Sequence, residues 1–455
     1  MQRRGLIAAT FGFFCVALIV ARPEGELAVP AVRADDGIRV VEPTSFGALR
    51  SGTVPEGAPR VIVQFKETVG DREAERCVGD AGGARASKSA FGPRYVVEPM
   101  AGLDGAGLVD RLRTMPEVAF AEIDAPVRAH FTPNDERFAL QWHLKTIGAE
   151  RMWDIQKGDP SVAVAVLDTG VAYEDFGPYR KAPDFGGTVF LPGFNVFTRD
   201  AHANDDNFHG THVASIIAEA TNNGVGASGI AHLSSIMPVK VLDRNGDGFN
   251  SQIAEGIDYV VNFRQNGVNP VRVINLSLGG PSRTQALEAA VNRAVEAGIT
   301  VVASAGNDNI GIVDYPAAFD NVIAVGSVDG RKVKAPYSSF GTALDLMAPG
   351  GDLRRDDNGD GRPDGVLQQT FDPSAAALGR YDNFGYYFVV GTSQAAPQVS
   401  ALAALLARQG IKDPRAIKAI MEKTAEDLGE PGRDDRFGWG LIRPAEALKG
   451  LGLSK

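Results

Sequence analysis

Residues 161–167 read Ser-Val-Ala-Val-Ala-Val-Leu, apolar at every position after the first, and the run ends on a carboxylate, Asp168. A strand with one wet face alternates apolar and polar residues, whereas an unbroken apolar, β-branched run needs cover on both faces. It therefore suits a buried parallel strand, with Asp168 at the carboxyl end, where open α/β sheets gather their functional groups. Two further segments supply helices. His209-Gly210-Thr211 opens an apolar stretch over 213–220, and Thr392-Ser393 opens an Ala- and Leu-rich stretch over 395–407. Both polar side chains then stand at helix N-termini, whose free N–H groups and dipole favour developing negative charge. The pattern implies an α/β chain with a mainly parallel central sheet.

The three segments also carry chemistry. Val166-Leu167-Asp168-Thr169-Gly170 offers an acid, His209-Gly210-Thr211-His212-Val213-Ala214 a base, and Gly391-Thr392-Ser393-Gln394-Ala395-Ala396-Pro397 a hydroxyl. A hydroxyl is a poor nucleophile near neutral pH unless an imidazole takes its proton and a carboxylate fixes that imidazole's tautomer. Each segment has a plainer reading. Asp-Thr-Gly also marks aspartic proteases, but their dyad needs two carboxylates sharing a proton, and there is no second Asp-Thr-Gly or Asp-Ser-Gly. His209 and His212 are spaced like metal ligands, yet no Cys is near and no Glu lies between them. Gly-Thr-Ser alone would pass for a helix cap. These readings do not account for all three segments in the order Asp, His, Ser, which differs from the chymotrypsin and α/β-hydrolase orders. With these motifs the chain resembles the subtilisin-like serine peptidases, the subtilase or peptidase S8 family.

That resemblance implies a three-layer α/β subtilisin-like fold in which Asp168, His209 and Ser393 form a catalytic triad. Val301-Val302-Ala303-Ser304-Ala305-Gly306-Asn307 resembles the strand leading to the family's oxyanion-hole asparagine, which makes Asn307 and the Ser393 N–H the oxyanion donors. Val273-Ile274-Asn275-Leu276-Ser277-Leu278-Gly279-Gly280 resembles the segment lining the first specificity pocket, through Ser277, Leu278 and Gly279. Gly246 and Gly248 are its expected companions, so that a substrate backbone is clasped between the two as an added strand. The implied substrates are proteins or peptides, with broad specificity favouring large apolar P1 residues and Asp308 at the pocket rim. Gln394 and Gln398 depart from the Met and His usual in the family, and a Gln beside the nucleophile implies slow inactivation by peroxide. A catalytically silent binding protein on the same fold is disfavoured by the presence of Asp168, His209, Asn307 and Ser393 together. A non-peptidase serine hydrolase would normally show Gly-x-Ser-x-Gly, whereas Ser393 stands in Gly-x-Ser-x-Ala.

At 455 residues and 44% hydrophobic content, the chain has room for more than one domain. Arg3 and Arg4 precede an apolar run over 6–20, which resembles a secretory leader within 1–34 and is short for a membrane span. The expected location is extracellular or periplasmic, with no stable membrane association. Residues 35–58, rich in Pro, Gly and charge, read as a linker. Strand-like runs at 61–65, 95–97 and 118–123, with a helical pattern over 108–115, make residues 59–130 a small α+β module. It resembles the family's inhibitory propeptide, which implies self-processing between about Val127 and Pro133 and inhibition by the module. Pro133-Asn134-Asp135, Gln141-Trp142-His143-Leu144 and Trp153 look like a thermitase-type start to a peptidase domain over 133–450, closing with Phe437-Gly438-Trp439-Gly440-Leu441-Ile442. The two cysteines, Cys15 and Cys77, both precede that domain, which excludes disulfides and a thiol nucleophile from it. A net charge of -10 gives no basic footprint for nucleic acid, and a monomer is expected.

Calcium, as a structural ion, is the cofactor implied. Thr221-Asn222-Asn223-Gly224-Val225-Gly226 resembles the family's calcium loop, with Asn223, Asp184 and Asp135 as side-chain ligands. Separately, Asp356, Asn358, Asp360 and Asp364 stand at positions 1, 3, 5 and 9 of an EF-type loop whose twelfth place is Leu367, not Glu.

Overall fold

The computed structural model describes residues 19–20, 60–125 and 131–450. The chain divides into two compact units, one within Pro30–Ala129 and the other built chiefly from His130–Lys455. The expected leader and linker lie outside the described residues, save that Ile19–Val20 form a two-residue strand antiparallel to Tyr387 and Phe388.

In the first unit, four strands and two helices alternate: β1 (Val61–Phe65), α1 (Asp71–Ala81), β2 (Gly83–Lys88), β3 (Arg94–Pro99), α2 (Gly105–Arg113) and β4 (Val118–Ile123). The sheet is antiparallel in the order β2-β3-β1-β4. Alternate residues of the central strands, Val61, Val63, Phe65, Tyr95 and Val97, pack on Ala74, Cys77 and Val78 of α1 and Leu108 and Leu112 of α2. Asp104 caps α2 by accepting from Gly107 N at 2.7 Å. This is the α+β module expected over 59–130, with α1 and β2 in addition. Processing is expected between about Val127 and Pro133, and of that span residues 127–130 are not among those described.

The second unit is built on a seven-stranded sheet. Its strands are β5 (Ala163–Asp168), β6 (Phe194–Asn195), β7 (Ser235–Lys240), β8 (Val271–Leu276), β9 (Thr300–Ser304), β10 (Val322–Val328) and β11 (Leu346–Pro349). All pair in parallel, in the order β11-β10-β9-β8-β5-β7-β6. Among the helices that cover it are α3 (His209–Ala218), α4 (Asn250–Asn262), α5 (Gln285–Glu296) and α6 (Thr392–Arg408). Strand alternation sorts the core into two sides. Val164, Val166, Val302 and Ile323 pack with Val213, Ile216 and Ile217 of α3 and Ala395, Val399 and Leu402 of α6. Ala163, Ala165, Leu167, Val301 and Ala303 pack with Ile253 and Ile257 of α4 and Leu287 and Val291 of α5. The result is the three-layer α/β arrangement expected from the sequence. Each fully buried aliphatic contributes about 1.5–3 kcal/mol, so β5, buried along its whole length, is firmly placed. A smaller antiparallel pair, β12 (Val366–Phe371) and β13 (Phe384–Val389), precedes α6.

The order of the sheet creates the site. β5 lies between β7 and β8, so the chain leaves β5 toward one edge and leaves β8 toward the other. Their diverging loops open a crevice at the carboxyl ends, and Asp168 ends β5 while Ser277 directly follows β8.

Candidate active site

Asp168 is fully buried, and its Oδ1 accepts from His209 Nδ1 at 2.8 Å and from Thr169 N at 2.7 Å. Among the described residues its Oδ2 has no hydrogen-bond partner. His209 is the first residue of α3, and the turn before it is held by a second buried carboxylate, Asp205. Asp205 Oδ1 accepts from Thr169 Oγ1 at 2.9 Å, Asn207 N at 2.9 Å and Phe208 N at 3.1 Å. Its Oδ2 accepts from Thr211 N at 2.9 Å and Thr211 Oγ1 at 2.6 Å. Thr169 Oγ1 in turn accepts from Gly210 N at 3.0 Å, so the acid's strand end and the base's helix start are tied through one small network. Gly210 is required for that approach. A Cβ there would lie 2.1 Å from Gly170 O.

Burial alone would push the His209 imidazole toward the neutral form. The charge of Asp168 and the hydrogen bond to it outweigh burial and raise the pKa above the ordinary 6.5.

Ser393 is the second residue of α6, where its N–H has no intrahelical acceptor. Its Oγ donates to Ser277 O at 3.2 Å, and Ser277 Oγ donates to Ser393 O at 2.8 Å. The second bond is available because Pro397, four residues on, has no N–H for the Ser393 carbonyl. Among the described residues there is no hydrogen bond between His209 and Ser393, so the hydroxyl has to turn from Ser277 O to reach the imidazole. Asn307 Oδ1 accepts from both Thr392 N and Thr392 Oγ1 at 2.9 Å. Two donors on one oxygen fix which way the amide faces and leave Nδ2 for an incoming group.

Gln394 is buried and its Nε2 has no partner among the described residues, while Gln398 Nε2 donates to Pro349 O and to Gln394 O. Gly246 and Gly248 lie in a turn closed by Asp243, whose Oδ1 accepts from Asn245 N and Asp247 N, and the structure places no strand there. Sequence reasoning missed Asp205, Thr211 and Thr392, whose partners are visible only once the chain is folded. The one local signal was an acidic pair, Asp205-Asp206, just before His209.

The expected calcium ligands differ in how they fit. Asp135 Oδ1 accepts from Asn223 N, and its Oδ2 from Asn222 N and Ser228 Oγ. Asp184 Oδ1 accepts from Asn223 Nδ2, and its Oδ2 from Ala227 N and Tyr386 Oη. Asn223 Oδ1 accepts from Val225 N. Each of these oxygens accepts from a neighbouring donor, as Asn358 Oδ1, Asp360 Oδ1 and Asp364 Oδ2 also do in the second loop, from Asp360 N, Arg362 N and Asp357 N. Asp356, Asn358 and Asp360 share one exposed turn, in which Asp360 N and Gly361 N donate to Asp356. Asp364 is buried beside it. Burial raises its pKa, the hydrogen bond from Asp357 N lowers it, and the charges of Asp357, Asp356 and Asp360 raise it again, a repulsion that a dication would relieve. That donor set is all oxygen at alternate positions, which fits a hard cation. Among the described residues no three acidic, His or Cys side chains converge on one point, so backbone oxygens or water would have to complete a shell.

The family model for the subtilase family, peptidase S8, matches residues 159–440, more than half of the chain. The chain belongs to the subtilase family. The thermophilic serine proteinase of Bacillus sp. (strain AK1) is 35% identical over 380 residues, covering 83% of this chain and 84% of that protein. Thermitase of Thermoactinomyces vulgaris is 35% identical over 303 residues, covering 66% of this chain and 94% of that protein. Among solved structures, a protease from Pseudoalteromonas arctica aligns with TM-score 0.61 and 32% identity over 70% of this subtilase and 99% of that chain.

The raised pKa of His209 has a direct consequence. In NMR titration of histidine-labelled protein, His209 should hold its proton to a pH above 6.5 and lose it as pH rises further. A midpoint at or below 6.5 would show that Asp168 does not govern the imidazole.

Proposed function

We propose that this subtilase is a secreted serine endopeptidase, made as a precursor, with Asp168, His209 and Ser393 as its triad. The observation that carries the reading is the 2.8 Å bond from His209 Nδ1 to a fully buried Asp168. It holds the imidazole with Nδ1 protonated and Nε2 free to act as a base. In the proposed reaction, Nε2 takes the proton of Ser393 as Oγ attacks a peptide carbonyl carbon. The oxyanion that forms is met by Asn307 Nδ2 and Ser393 N. His209 then protonates the leaving amine, and water repeats the sequence on the acyl-enzyme. Loss of the Asn307 donor should lower kcat on the order of 10²- to 10³-fold, a magnitude known for subtilisin, a member of this family.

The bond from Ser393 Oγ to Ser277 O favours the silent binding protein, since it leaves the base unpaired. We set that reading second because catalytic hydrogen bonds often tighten only once substrate is bound. The first unit is proposed as an intramolecular inhibitor, cut from the enzyme between about Val127 and Pro133 by the enzyme itself. Secretion rests on the leader-like residues 1–34, and among the described residues no helix is long and apolar enough to cross a membrane. Ser393→Ala should abolish casein hydrolysis and accumulate at precursor size in a host lacking other proteases. Normal processing of that variant would exclude self-cleavage, and retained hydrolysis would exclude Ser393 as nucleophile.

Calcium is proposed at the loop carrying Asp356, Asn358, Asp360 and Asp364, as an ion that stabilises the fold by binding only the native state. It takes no part in the steps above. EGTA should shorten the lifetime of activity at elevated temperature and leave the initial rate in the cold nearly intact. An unchanged lifetime would remove calcium from the account.

A further inference from the structure

The crevice contains a carboxylate that the triad does not use. Asp314 lies seven residues past Asn307, and its segment bridges the two chains flanking the nucleophile. Asp314 N donates to Ala305 O at 3.1 Å, Tyr315 N to Gly280 O at 2.8 Å, and Gly280 N to Tyr315 O at 3.0 Å. Its side chain lies against both Gly279 and Gly306. A Cβ at Gly279 would lie 2.8 Å from Asp314 Cβ, and one at Gly306 would lie 2.6 Å from Asp314 Oδ2. Those two glycines belong to segments that touch the start of α6: Ser277 exchanges hydrogen bonds with Ser393, and Gly306 O lies 3.3 Å from Thr392 Oγ1. Asp314 therefore lies against the segments that flank the attacking hydroxyl and Asn307.

Asp314 is half-buried and has no side-chain hydrogen bond or ion pair among the described residues. Burial and the exposed Asp308 push its pKa up to about 6, with no cation contributing. Lys334 donates to Asn309 Oδ1, Ala335 O and Ser338 O and is committed there. A carboxylate held partly out of water without a partner is costly, and no group among the described residues supplies its counter-charge. A substrate can. The side chain nearest Asp314 is the one on the residue whose carbonyl is attacked, because it is one bond from that carbonyl. A long basic side chain would lay its stem along the backbone of Leu278, Gly279 and Gly306 and bring its head to Asp314.

We propose that Asp314 is a specificity-determining residue that selects Lys or Arg on the acyl side of the scissile bond. The proposal rests on the peptidase reading and replaces the apolar preference expected from the sequence, which weighed Asp308 at the rim and took no account of Asp314.

The test counts only competent enzyme, by titrating Ser393 with a fluorophosphonate, and then compares kcat/KM for peptide p-nitroanilides that differ only in a P1 Lys, Arg, Phe or Glu. Lys and Arg should exceed Phe, and Asp314→Asn should lower the Lys-to-Phe ratio by about 10- to 100-fold. Asp314→Lys should move preference toward Glu, which a merely structural role would not do. Titratable enzyme that cleaves Phe as well as Lys, or a ratio unmoved in Asp314→Asn, overturns the proposal and leaves the peptidase reading intact. Absence of any Ser393 labelling removes the peptidase reading, and the proposal with it.

Discussion

A negative charge with no water around it needs a partner held in place, and Asp168 is such a charge, at the end of a strand buried along its whole length. Breaking a buried pair by removing one member typically costs about 3–5 kcal/mol, so the start of α3 has to stay within hydrogen-bond reach of β5. The chain meets that need with a second buried carboxylate, Asp205, which binds the turn before His209 and both Thr169 and Thr211. Gly210 permits the close approach that this network demands. The position of His209 thus follows from burial and hydrogen bonding on the far side of the imidazole from any substrate.

The opposite wall is held by a different device. α6 begins against the ends of β8 and β9 through Ser277, Gly306 and Asn307, and the absence of an N–H at Pro397 frees the Ser393 carbonyl for Ser277 Oγ. Thr392 spends both its N–H and its hydroxyl on Asn307 Oδ1, so the amide's donors face the crevice without rearrangement. Preorganised donors are effective because they need no reorientation as charge develops. The same walls bring Gly279 and Gly306 both against the side chain of a third segment, Asp314.

Much of this was legible in the sequence, for reasons that differ by residue. The run ending at Asp168 could only be a strand covered on both sides, and the segments opening with His209 and Thr392-Ser393 carried apolar stretches suited to helices. β2 was not legible, because Gly-Ala-Arg-Ala-Ser-Lys has five exposed residues of six and becomes a strand by pairing with β3. Asp205, Thr392 and Asp314 were missed because their roles depend on partners in other segments, which no local pattern reports. Asp135, Asp184 and Asn223 were legible as a group from their loop motif, and they do come together, Asn223 donating to both carboxylates.

The central claim is that Ser393 is a nucleophile made reactive by His209. It is tested most directly by mapping, with mass spectrometry, the residue modified by a fluorophosphonate in the processed protein and in His209→Ala. The account predicts a single phosphonylated residue, Ser393, and a labelling rate that collapses in His209→Ala while the fold is retained. Modification at another residue, or labelling of Ser393 at an undiminished rate without His209, would contradict it.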